Sequence, residues 1–254
     1  MPDHALPNRL PPVSRLLAAH LVCNVKIVLR TPRAIFGSLL LPALLLSLQS
    51  GRHPAATQQA AIVAGLTALG VVSAAYMTHA SSLVAAREAG ALKRWRAMPV
   101  PAWCYFAARV GASTSVAIAA GLLTVAAGAG LNGIRPSALA LLGLLPTLAL
   151  AAFAWASIGT AVSSLIPSVD AAWPLLGLTY LPMLALSGGF GPIGNQPAWL
   201  ASIVAMLPAR AVIDAVTRLL EGTGGLSAGD LAVLLAWTGA GLLAAQRTFI
   251  WQPR

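Results

Sequence analysis

Two long stretches of this chain, His53 to Ala86 and Val110 to Ile134, contain no Asp, Glu, Lys or Arg. Each exceeds the roughly 20 apolar residues that a helix needs to cross a bilayer core about 30 Å thick. Between them lies Arg87–Pro101, which carries Arg87, Glu88, Lys93, Arg94 and Arg96. A charged knot between two membrane-length runs is a loop held in water beside the bilayer. Its own pattern is helical, with Leu92 and Trp95 on one side and the cations around the rest, and Pro99 and Pro101 stop it. A short, stiff, basic helix at the membrane surface is either an anchor or a part that another protein grips.

The composition agrees. The chain of 254 residues is 58% hydrophobic and 9% charged, against roughly 25% charged in a soluble domain. Its mean hydropathy is +0.80. We read residues 1–254 as one all-α integral membrane domain. The net charge of +10 does not indicate nucleic acid, because the cations form no single stripe and no aromatic residues interleave with them.

After a polar arm, Met1 to Pro12, which lacks the pattern of a signal peptide, residues 13–31 form an expected interfacial amphipathic helix. Leu17, Leu21, Val25 and Val28 recur on one side, with Lys26, Arg30 and Arg33 on another. Thr31-Pro32 breaks it. Six spans follow: Arg33/Ala34 to Ser50, Gln59 to Ala86, Cys104 to Gly130, Ser137 to Ile166, Ala171 to Ser187, and Leu226 to Ala245. Pro146, Pro174 and Pro182 fall inside spans, where neighbouring groups satisfy the freed carbonyls.

Placing the N-terminus in the cytoplasm leaves Arg52, Arg135, Arg210 and Arg218 outside and all other cations, from Arg9 to Arg254, inside. The positive-inside rule therefore puts both termini in the cytoplasm of a multi-pass plasma (inner) membrane protein. Cys23 and Cys104 then both fall on the reducing side, so no structural disulfide is expected.

Residues 188–225, between spans five and six, form an outer segment of a different kind. A glycine-rich loop through Phe190 leads to a short apolar helix around Trp199, and Pro208 breaks it. A second short helix carries Arg210, Asp214 and Arg218. Asp214 and Arg218 are four apart and can pair on one face. Two broken helices on the outer side read as a re-entrant hairpin, either a lid that seals the bundle or an exit gate, with Phe190, Trp199, Asp214 and Arg218 as gate residues.

No catalytic or metal constellation is found. His4, His20, His53 and His79 are scattered, with no HExxH spacing, and His79 reads as a hydrogen-bonded helix residue. The six carboxylates offer no acid–base pair. The spans are nearly free of the internal ionisable groups that mark ion-coupled carriers, which disfavours a secondary carrier. Lys26 and Lys93 follow Val25 and Leu92, so there is no Walker glycine-lysine pair. Leu186-Ser187-Gly188-Gly189 is similar to the signature of ATP-binding cassettes but lies at the outer end of an apolar span, which makes it coincidental.

Residues 87–101 resemble the cytoplasmic loop of ABC-2 type transporter permeases, where a Glu-x-Gly-Thr-Leu-x-x-Leu-x-x-Thr-Pro-like run follows the second span. Tyr180 to Ile193, Pro197 to Leu200 and Leu207 to Arg218 resemble that family's region between spans five and six. Ala91 stands in place of the usual threonine, and Leu207 to Arg210 lacks the common asparagine and aromatic. The resemblance covers essentially the whole chain.

It implies a permease subunit that works with a second permease copy or paralogue and with cytoplasmic ABC ATP-binding subunits, among membrane lipids. ATP and Mg would be bound by the partner, with no cofactor and no enzymatic site in this chain. It implies a coupling surface of Arg87, Glu88, Leu92, Arg94 and Arg96, with Glu88 at the family's acidic position. The apolar pathway, with only 6% aromatic residues, leads us to expect export of a hydrophobic or amphipathic molecule, drug or lipid-like. A polysaccharide or glycolipid exporter and a non-transporting scaffold remain as alternatives, and no substrate-binding residue is assigned.

Overall fold

The computed structural model describes residues 12–49, 56–97, 102–191, 194 and 196–248, without the side chains of residues 56, 96 and 102. The expected turns at Arg52–Pro54 and Pro99–Pro101, most of the N-terminal arm and the end of the basic tail lie outside the described residues. Among the described residues there is helix and no strand.

Among the described residues six helices are long and apolar enough to cross a membrane. After α1 (Val13–Leu29) come α2 (Pro32–Gln49) and α3 (Thr57–Glu88). The short α4 (Ala91–Arg96) leads into α5 (Ala102–Asn132), α6 (Ala138–Ser163) and α7 (Val169–Leu186). Two short helices, α8 (Ala198–Ala205) and α9 (Pro208–Glu221), precede α10 (Ala228–Thr248). The expected spans lie within a few residues of α2, α3, α5, α6, α7 and α10.

The longest uncharged run becomes the centre of the molecule. Within its most apolar 18 residues α3 is 94% buried, and α2, α5, α6, α7 and α9 all pack on it. Its Ala, Gly, Val and Ser side chains let neighbouring backbones approach closely, which is how membrane helices associate without a hydrophobic driving force. At Gly70 a Cβ would meet the carbonyl oxygen of Ser38 in α2 at 3.0 Å. That oxygen has lost its helical donor, since Pro42 has no N–H, and α2 widens into a π turn at Phe36–Leu40. A second π turn, Ser73–Thr78, interrupts α3 on the facing side.

The bundle has two ends. One, the basic end, carries α1, α4, the turn between α6 and α7, and the end of α10, where Ser164 donates to Thr248 Oγ1 at 3.0 Å. The other carries the hairpin. α1 has no buried residue and packs along the start of α5.

The hairpin goes deeper than a lid. α8 and α9 meet at 85°. α8 leaves Trp199 and Ile203 exposed, as is Met206 just beyond it, whereas α9 buries Val212, Ile213, Val216, Leu219 and Leu220 against α3, α6 and α10. Gly143 in α6 makes room for Leu219, whose Cδ2 would stand 2.6 Å from a Cβ there. Gly65 in α3 likewise receives the backbone of Gly188 and Gly189, whose carbonyl oxygens a Cβ would meet at 2.9 and 2.8 Å. The Leu186–Gly189 string is thus a tight backbone seat on α3.

Candidate functional site

At the basic end α3 stops because Gly90 takes a left-handed conformation (φ 67°), which turns the chain into α4. The last two charged residues of α3 then reach across to the turn between α6 and α7. Arg87 is 3% exposed and donates to the carbonyl of Ser163 at 3.1 Å and to that of Ile166. A cation thereby fills the unsatisfied, negative end of α6. Glu88 accepts from the backbone N–H of Val169 at 2.9 Å, while Ser168 accepts from Ala171 N–H at 3.3 Å. A carboxylate thereby meets the positive end of α7. Neighbouring residues of opposite sign hold two neighbouring helix ends of opposite polarity.

α4, which follows the clamp, packs by its apolar side on α3 and α5. Leu92 is fully buried and Trp95 nearly so, in a cluster with Leu83, Ala86, Cys104 and Tyr105, with Leu17 of α1 packed against it. The His20 ring meets Trp95 edge-on, with centroids 4.4 Å apart. Lys93 and Arg94 point outward. The expected coupling surface therefore divides. Arg87 and Leu92 lie inside the protein; Glu88 is exposed but already bonded to α7; Lys93 and Arg94 form the exposed basic face, with Arg94 also donating to the carbonyl of Ala89 at 3.3 Å. The side chain of Arg96 lies outside the described residues.

Behind α4, Arg109 reaches into α3, donating to Ser82 Oγ at 2.8 Å with its guanidinium 4.9 Å from the Tyr105 ring centroid. His79 bonds Thr160 Oγ1 through Nε2 at 3.0 Å, in line with its reading as a hydrogen-bonded helix residue. Among the described residues no group of His, Cys, Asp or Glu is arranged to hold a metal ion, and Cys23 and Cys104 are unbridged.

At the hairpin the expected ion pair is replaced by two others. Asp214 accepts from Arg210 Nε at 2.8 Å, one turn back rather than forward. Arg218 turns away to Asp230 in the first turn of α10 and to the carbonyl of Gly225 at 2.9 Å. Asp230 also accepts from Ser227 N–H and Oγ at 2.9 and 2.7 Å. Arg218 takes this partner because Asp230 is the more buried and better hydrogen-bonded carboxylate. Phe190 and Trp199 are exposed.

A cavity of about 660 Å³ opens between α2, α3 and α7. Arg33 stands at its basic end, and Phe36, Ser73, Met77, Trp173 and Tyr180 are among its walls. Both π turns border it, and Tyr76 bonds Thr179 Oγ1 at 2.6 Å beside it, joining α3 to α7. Periodicity could not reveal this groove, since it depends on where the wide turns fall.

The ABC-2 type transporter family model matches residues 21–220, which takes in the clamp, the groove and the hairpin. This chain belongs to the ABC-2 type transporter family. An ABC-2 membrane domain is the permease component of an ABC transporter; such domains generally lack an ATPase site of their own and normally work with ATP-binding subunits. Two curated relatives are similar. Nodulation protein J of Rhizobium leguminosarum bv. viciae is 38% identical over 84 residues, 33% of this chain and 32% of that protein. Nodulation protein J of Rhizobium leguminosarum bv. trifolii is 30% identical over 187 residues, 70% of this chain and 67% of that protein.

Proposed function

We propose that this ABC-2 permease exports a hydrophobic or amphipathic molecule through the groove between α2, α3 and α7. In this reading two copies, or one copy and a paralogue, sit in the plasma (inner) membrane with both termini in the cytoplasm. ATP-binding subunits, carrying ATP and Mg, dock on the basic face of α4. The observation that carries the reading is the clamp. Glu88 ties the end of α3, from which α4 turns off, to the start of α7, Arg87 ties it to the end of α6, and α7 is one wall of the groove. A push on Lys93 and Arg94 would then be delivered to that wall rather than lost in a flexible loop.

Two further features support it. α2 and α7 are the least buried of the six spans, each 22% buried. Their exposed Phe36, Leu40, Leu178 and Leu181 leave the groove to be closed by a second permease. The groove itself is almost wholly apolar apart from Arg33, Ser73 and Tyr180, which suits an amphipathic cargo. Cargo would leave beneath the hairpin.

The test is ATP turnover by a candidate ATP-binding protein in lipid, with and without this chain. We expect association and a change of rate with the wild type. Glu88→Lys places a cation on the positive end of α7, and we expect it to leave association intact and abolish the change. An unchanged response from the variant would remove Glu88 from coupling. Failure of any ATP-binding protein to associate would favour a scaffold.

A further inference from the structure

We infer that a second groove, between α5, α6 and α10, is a binding site for one acyl chain of a membrane phospholipid. The cavity measures about 850 Å³ and shares no lining residue with the groove assigned to cargo. Trp103, Phe106, Phe153 and Leu242 wall it, and all but Phe106 are strongly exposed at the bundle surface. Ala107 and Val110 lie along it, and Thr114 marks its inner limit.

Depth and chemistry select the occupant. From Trp103 to Thr114 is eleven residues, about 16 Å at 1.5 Å per residue, or roughly half of a hydrocarbon core of about 30 Å. The slot therefore spans one leaflet. It starts at the basic end, where Trp103 sits at the level expected of an interfacial aromatic. Two of its polar residues turn inward: Ser157 donates to the carbonyl of Phe153 at 2.8 Å and Thr160 to that of Ala156 at 2.8 Å. The middle of the slot is thus apolar to a guest. At the mouth Gln246 offers an amide, and the exposed Arg247 follows it in the last turn of α10. An apolar slot one leaflet deep, with an amide at its mouth and an exposed arginine in the same helix turn, matches a chain below a phosphate headgroup. The site stands independently of the proposed function; in the orientation proposed above its leaflet is the cytoplasmic one.

The experiment uses the full chain in lipid nanodiscs containing a trace of phospholipid with a photoreactive diazirine on one acyl chain, followed by peptide mapping. We expect adducts on residues 103–114 and 153–160 several-fold above those on the exposed face of α7 around Leu178. Ala107→Trp and Thr114→Trp fill the slot and should each remove most of that excess, whereas Ala126→Trp, further along α5, should not. Equal labelling of both faces overturns the site, and the wild-type map decides this even if the tryptophan variants do not fold. Adducts seen only after the residues beyond Thr248 are removed would make the chain's own tail the occupant and also overturn it. Groove adducts in a preparation whose ATP turnover ignores Glu88→Lys would support the site while sinking the coupling role of Glu88.

Discussion

Arg87 is where a cation read as a surface contact becomes part of the protein's frame. Its guanidinium is planar and forked, so it can serve the carbonyls of Ser163 and Ile166 together. Arg87→Ala strands both oxygens in a buried place, and a hydrogen bond to a charged group contributes about 1.5–3 kcal/mol. We expect a clear fall in the unfolding temperature of the purified protein, with Arg87→Lys intermediate because an ammonium is a point donor. An unchanged midpoint for Arg87→Ala would show that the turn between α6 and α7 holds itself. These contacts were not legible in the sequence, since the partners lie 76 and 79 residues away. What was legible was that Leu92 and Trp95 share one side, by helical spacing alone; that this side faces inward, taking Leu92 out of the coupling surface, was not.

Among the elements, α9 separates two kinds of ion pair. Arg210–Asp214 lies within one helix turn, with side chains 41% and 32% exposed, and such i,i+4 pairs contribute about 0.3–0.5 kcal/mol. Arg218–Asp230 joins α9 to α10, and the Asp230 side chain is 11% exposed. Breaking it with Asp230→Asn leaves Arg218, 33% exposed, without its carboxylate, so the cost falls below the about 3–5 kcal/mol of a fully buried pair but above that of an i,i+4 surface pair. We therefore expect Asp214→Ala to be nearly silent in hydrogen exchange and Asp230→Asn to speed exchange throughout α9. Equal effects would mean that apolar burial alone seats the hairpin. The sequence left this choice open, because Asp214 has an arginine four residues away on either side. Arg218 was drawn off by a carboxylate on the next helix, which no local rule could anticipate.

For the molecule as a whole, hydropathy and proline placement revealed the six spans and the broken hairpin. They could not reveal that α3 would be central, that α9 would enter the core, or that the π turns would open a groove beside α7. Orientation is open to a direct check. Cys23 is exposed on α1 and Thr223 is exposed just beyond α9, at opposite ends of the bundle. In intact cells a membrane-impermeant maleimide should label Thr223→Cys in a Cys23→Ser background. In the parent chain it should reach Cys23 only after the membrane is opened. The reverse pattern would invert the topology.

The order of two letters in this sequence carries directional information that no tally of charge records. Exchanging the pair, as Arg87→Glu with Glu88→Arg, keeps composition, net charge, hydropathy and the positive-inside signal all unchanged. It sets a carboxylate against the carbonyls that close α6 and a guanidinium against the amide that opens α7. By every bulk measure the permuted chain is the same protein and should insert with the same topology. Its two helix ends would meet charges of the wrong polarity, and the link between the end of α3 and the groove wall would be cut without the loss of a single charge.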